Sequence, residues 1–244
     1  MLGKRIQTSN ASGMRGAAGN NDNRLSSVED AASRYNTKDK ARKFALKMAG
    51  TATDRREKRC VEKALADVPC GASVLDLPCG AGRLLPLLKK RGYKVTEADI
   101  SDAMLEQAQL YAGAQTESCL DETVSFRRAN VFETGFEDNC FDAVVCHRLF
   151  QYFPEAEVRR RALKELARIC SGPIVVSFLC NFSVDAVAPY LLDVFHHRRH
   201  GCIPISYKSF AEDAQAAGLV VKRWIPMLPL LSKRWYAVLE KDTE

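Results

Sequence analysis

SVLDLPCGAGRLLPLLKKRGYKVTEADISDAML, residues 73–105, holds two short apolar runs with a segment of helix length between them. Val74, Leu75 and Leu77 make the first run; Tyr93 to Ala98 make the second, which ends in Asp99. Pro78-Cys79-Gly80-Ala81-Gly82 reads as a tight turn into a helix from Arg83 to Arg91, and Gly92 closes that helix. The pattern is one β-turn-α-β unit. If its strands lie parallel in one sheet, the crossover is right-handed.

Gly80 and Gly82 lack a Cβ, so the turn can adopt angles closed to other residues and let a ligand approach the main chain. It opens a helix N-terminus, whose free N–H groups suit a carboxylate or phosphate. Asp99 follows Gly80 by 19 residues, at the carboxyl end of the second strand. A carboxylate there can accept two hydrogen bonds from a ribose diol, each worth about 1.5–3 kcal/mol. Leu85 stands where a G-x-G-x-x-G fingerprint needs its third glycine, which weighs against NAD or FAD. A strand-helix turn with no ligand is the plainer alternative.

VLDLPCGAGR with ADISDAML resembles motif I and the following acidic motif of the class I S-adenosylmethionine (SAM) methyltransferases, in particular the small-molecule kind similar to ubiquinone and menaquinone biosynthesis enzymes. The resemblance implies a Rossmann-like three-layer α/β sandwich whose seven-stranded, mostly parallel sheet has an antiparallel strand near the C-terminus. It implies SAM as cofactor, held by Asp76, Gly80, Gly82, Arg83, Asp99, Ile100, Met104, Asn130, Val131 and Cys146. Asn130 stands where the family usually has an acidic residue beside the adenine amine, and its carbonyl can accept from that amine. FDAVVC, residues 141–146, resembles the family's next strand motif. His147, directly after it, is the histidine placed near the methyl group and the candidate general base. A histidine that packs in the pocket without titrating is the alternative. Arg148 is expected to pair either with an acidic substrate group or with the following helix.

The chain of 244 residues suits one domain with appendages. No apolar run approaches the roughly 18 residues of a membrane span, and MLGKRIQTSN lacks a secretory apolar core. Nine scattered cysteines without a C-x-x-C pair, and four histidines without a constellation, predict no disulfide framework and no metal site. A reducing, cytoplasmic location follows. The net charge of +6 is uneven: residues 1–72 hold 15 Lys/Arg against 8 Asp/Glu, and residues 73–244 hold 21 against 22. The basic quarter leaves peripheral contact with an anionic membrane surface, or an RNA partner, open. Nucleic acid is not expected, because Cys146-His147-Arg148-Leu149 replaces the N/D-P-P-Y/F string of many nucleic-acid amino-methyltransferases.

Along the chain, residues 1–28 read as a disordered tail and 29–72 as a helical cap before the catalytic domain, 73–244. Asp54-Arg55-Arg56-Glu57 has the spacing of a capping box. In the resembled family an arginine of this segment sometimes reaches the SAM carboxylate, which makes Arg55 or Arg56 candidates. A helix follows from Ala103, a strand spans Val124 to Arg128, and Pro154 opens another helix whose Arg159-Arg160-Arg161 run reads as solvated. Ile174 to Leu179 is a fifth strand. Residues 181–205 read as a substrate-lid insertion, with His196, His197 and His200 at an exposed basic helix end. Helix 206–217 and strands 219–224 and 235–239 complete the chain.

The function expected is methyl transfer by in-line displacement to an O, N or C nucleophile of a small-molecule or lipid-linked acceptor. RNA or protein methylation through the basic segment, a non-enzymatic binding protein of this fold, and an alkyl transferase on the same scaffold are the alternatives.

Overall fold

The computed structural model describes residues 50–115, 123–181, 202–229 and 231–242, with Thr37 and Asp39. Helix α1 (Ala52–Ala64) leads into β1 (Ser73–Asp76), α2 (Leu85–Lys90), β2 (Lys94–Asp99), α3 (Asp102–Gln115) and β3 (Val124–Arg128). Then come β4 (Ala143–Cys146), a 3₁₀ turn (Phe150–Tyr152), α4 (Ala156–Ile169), β5 (Ile174–Leu179), α5 (Tyr207–Gln215), β6 (Leu219–Pro226) and β7 (Arg234–Lys241). The seven strands lie in the order β3-β2-β1-β4-β5-β7-β6. Strand β7 is antiparallel to both neighbours and the other pairings are parallel. This is the expected Rossmann-like sandwich.

Strand periodicity sorts the core into two layers. Val74, Val95, Val145, Val175 and Val238 face α1 and α2, where Val61, Leu65, Leu85 and Leu88 meet them. Their neighbours Leu75, Val144, Val176 and Leu239 point the other way, onto Leu163 and Leu166 of α4 and Phe210 of α5. Each such fully buried side chain stabilises the fold by about 1.5–3 kcal/mol. The outer strand β3 keeps Arg127 and Arg128 exposed, which discourages edge pairing with another chain.

Three local readings change. Thr51 caps α1, accepting from Asp54 N–H at 3.1 Å, while Asp54 reaches back to Gly50 N–H. The cap therefore sits three residues before the expected one, and Glu57 is free for another use. Helix α4 starts after Pro154, at Ala156, because Glu155 is extended (ψ 131°) and its carbonyl takes the first helical bond from Arg159 N–H; the Phe153 and Pro154 carbonyls accept from the Arg159 side chain. Arg159 is not solvated: it is buried and pairs at 2.7 Å with Asp213, tying α4 to α5. The tail at 1–28, most of the 181–205 insertion, and His196, His197 and His200 lie outside the described residues. Among the described residues no helix is long and apolar enough to cross a membrane, and no cluster could hold a metal ion.

Candidate active site

Parallel β1, β2 and β4 deliver Asp76, Asp99 and His147 to one carboxyl edge of the sheet, where open α/β sheets bind ligands. A cavity of about 210 Å³ opens there. Asp76, Gly80, Arg83, Asp99, Ile100, Met104, Asn130, Val131 and His147 line it. Gly82 and Cys146, the other two of the eleven residues singled out from sequence, do not. Cys146 is wholly buried in the core. Gly82 has φ +71°, and a Cβ there would sit 3.2 Å from Ala108 Cβ, so its role is close packing of the turn on α3.

Asp99 clips the glycine turn to the sheet. One of its oxygens accepts from Gly80 N–H at 3.0 Å and the other from Ser101 N–H at 2.9 Å, at the start of α3. Gly80 has φ +57°, and a Cβ there would meet nothing within 4 Å. Burial raises the Asp99 carboxyl while the N–H donors of Ser101 and Gly80 oppose that rise. Beside it, Asp76 and Glu97 are register partners on β1 and β2. Both are buried, and neither pair of carboxyl oxygens has a hydrogen-bond partner. Burial, then the nearby acidic charge, pushes both carboxyls well above the usual range, although the Arg83 charge pulls Asp76 the other way. Across the cavity, Asn130 Oδ1 accepts from Phe132 N–H at 3.1 Å, which fixes the orientation of its amide.

The opposite wall is basic and is organised by Glu57, which sits on the buried face of α1 and has no exposed surface. Its carboxylate accepts from Arg83 at 2.9 Å and from Arg148 at 2.8 Å, and it forms an ion pair with Arg234 at 3.0 Å. Arg83 also pairs with Asp54. Burial alone would raise the Glu57 carboxyl. The nearby His147 and the Arg148 and Arg234 charges outweigh it and hold the group well below the ordinary range. His147 has its Nε2 2.7 Å from an Arg83 guanidinium nitrogen and its Nδ1 3.1 Å from Ser177 Oγ, and it stacks on Tyr236 at 5.6 Å. Burial draws its pKa down to about 4 against the raising influence of Glu57. The imidazole is therefore neutral at pH 7, and its 3.4 Å contact with Glu57 is not an ion pair.

Arg148 pairs with α1 rather than with the helix that follows it. Arg55 bonds Gly50 O at the surface, and neither Arg55 nor Arg56 lines the cavity. Sequence reading missed Asp54, Glu57, Glu97, Ser177 and Arg234. Two signals were present: acids three apart on the same helix face as Cys60, Val61 and Ala64, and a glutamate at an inward position of β2, on the same side as Val95. Nothing local marks Arg234.

Residues 75–172 match the family model described as Methyltransferase domain. Over 127 residues the chain is 32% identical to a demethylmenaquinone methyltransferase of Clavibacter sepedonicus, covering 51% of this chain and 46% of that protein. Over 110 residues it is 34% identical to a ubiquinone biosynthesis O-methyltransferase of Alkalilimnicola ehrlichii, covering 45% and 42%. These alignments thus span about half the length of each curated relative. Among solved structures, magnesium protoporphyrin IX methyltransferase from Synechocystis PCC 6803 with bound SAH superposes with a TM-score of 0.71, over 87% of this chain and 99% of that one. At 16% identity that likeness is one of fold.

Proposed function

We propose that the cavity binds SAM and that the protein moves its methyl group to an O, N or C nucleophile of a small-molecule or lipid-linked acceptor, a reading supported by the match of residues 75–172 to the methyltransferase-domain model. One observation carries this reading: the carboxyl groups of Asp76 and Asp99 converge beneath a glycine turn at the carboxyl edge of the sheet. Asp76 lines the cavity with both carboxyl oxygens unpartnered, which fits a ligand ammonium. Asp99 retains acceptor capacity beyond its two backbone bonds, which fits a ribose diol. Ile100, Met104 and Val131 give an apolar seat for a base, with the oriented amide of Asn130 at its rim. Arg83 follows the turn and suits the amino-acid carboxylate.

When bound, the cofactor supplies a methyl group activated by a sulfonium. The chain's task is to hold acceptor and cofactor in line and keep water out; alignment of this kind is worth roughly 7–11 kcal/mol. His147 is a positioning residue in this reading. It is neutral, and Arg83 and Ser177 engage its two ring nitrogens. The names of the two curated relatives concern quinone biosynthesis, which supports a small acceptor over nucleic acid.

Calorimetry with S-adenosylhomocysteine (SAH) tests the binding half. Asp99→Ala is expected to weaken affinity at least tenfold, or about 1.4 kcal/mol. Unchanged affinity removes Asp99 from the ribose role. Labelled methyl transfer from SAM into a small-molecule extract tests the catalytic half.

A further inference from the structure

The cavity carries opposite chemistry at its two ends. Along the sheet edge, Asp99 lies on β2 and Asp76 on β1, and both offer acceptors. Beyond them, past β4, the lining turns to donors. Arg148 follows β4, Gln151 lies in the 3₁₀ turn, and Arg234 opens β7 behind them.

Resting on the cofactor reading of the same cavity, we propose that the wall formed by Arg148 and Gln151, backed by Arg234, binds an anionic oxygen group of the methyl acceptor, a carboxylate in the first instance. Gln151 gives the most direct argument. Arg234 Nη2 donates to Gln151 Oε1 at 2.9 Å, and a guanidinium can only donate, so the amide oxygen must face Arg234. The amide NH₂ is thereby turned from the arginine as a donor, on a side chain that lines the cavity.

Charge points the same way. Three buried or half-buried arginines, Arg83, Arg148 and Arg234, gather on Glu57, and Arg83 also pairs with Asp54. Lys58 further divides the Asp54 charge. Among the described residues, Glu57 and Asp54 are the carboxylates that pair with these four cations; His147 stays neutral, and burial drives Asp76 and Glu97 toward their uncharged forms. Arg234 Nη1 is buried with no partner. A buried donor without a partner is costly, and an anion held at this wall offsets part of that cost through its charge. The backbone adds a fourth observation. Arg148 has φ +62°, a region that disfavours residues with a Cβ, and Ser177 Oγ holds it there by accepting Arg148 N–H at 2.7 Å. Such outliers gather at ligand clamps.

The test titrates SAH-saturated protein with benzoate and with benzamide, which share a ring and differ in charge, following amide shifts by NMR. Saturation with SAH fills the cofactor's own carboxylate position first. Benzoate is expected to bind at least about tenfold more tightly than benzamide. In Gln151→Glu, which keeps an oxygen for Arg234 but replaces the NH₂ donor with a carboxylate oxygen, benzoate affinity is expected to fall at least about tenfold while SAH affinity holds. Equal binding of the two probes, no binding of benzoate, or benzoate binding unchanged by Gln151→Glu overturns the proposal. Loss of SAH binding in the wild-type protein with benzoate preference intact would sink the cofactor reading and leave the anion subsite standing.

Discussion

Replacing Glu57 by glutamine tests the keystone of the basic wall. Glutamine keeps the volume and removes the charge. The side chains of Arg83, Arg148 and Arg234 are only 12%, 20% and 11% exposed and Glu57 is fully buried, so water can screen little of what is left. Removing one partner of a buried ion pair typically costs about 3–5 kcal/mol. Against a domain stability of about 5–15 kcal/mol that is a large share, and at about 2–4 °C per kcal/mol it lowers the melting temperature by roughly 6–20 °C. Urea denaturation at pH 7 measures it.

The pH dependence of the same variant supplies a signed check. The Glu57 carboxyl is held below its ordinary value of 4.5 in the folded protein. Its contribution is thus fully present above that value and is lost as pH falls toward the lower folded pKa. The wild-type advantage over Glu57→Gln should therefore shrink in acid and stay constant from pH 6 to pH 8. A loss below about 1 kcal/mol, the range of an exposed pair, would refute the reasoning.

Gly80→Val should abolish SAH binding, because its side chain would project into the cavity, and cost about 1–2 kcal/mol of stability through φ +57°; calorimetry and melting separate the two effects, and intact binding would mean that the turn does not face the ligand. Glu97→Gln should gain stability relative to wild type as pH rises from 5 to 8. With the folded carboxyl raised, the folded state binds more protons than the unfolded one over that interval, so wild-type stability falls with pH; a constant difference in melting temperature would contradict it. His147→Asn should leave the shape of the kcat/KM pH profile unchanged between pH 6 and 8, whatever it does to its height, since His147 is already neutral there; loss of a limb in that range would restore it as a general base.

The frame of the molecule was legible in residues 73–105 because each signal there is local: β-branched runs, glycines at positive φ, and an acid at a strand end. Asp99 illustrates this well: the pattern places it at the carboxyl end of the second strand, and the structure joins it there to Gly80 by a hydrogen bond. What failed was long-range. Asp54 and Glu57 looked like a helix cap because capping is the commonest use of acids at that spacing. Their partner Arg83 lies 26 residues beyond Glu57, and Arg148 lies 91 beyond. Arg159 looked solvated in a run of three arginines, and only the docking of α5 gives it Asp213. Glu97 carries its signal in the wrong place: an acid on the inward face of a buried strand contradicts the hydrophobic pattern, and such contradictions concentrate at functional sites.

Co-crystallisation with SAH bears most directly on the central claim. Density over the 78–82 turn, with ribose hydroxyls on the Asp99 carboxylate and the amino-acid end toward Asp76 and Arg83, is the result expected. A nucleoside settling elsewhere, or a cavity that stays empty at saturating SAH, would contradict the account and leave the α/β domain without its ligand.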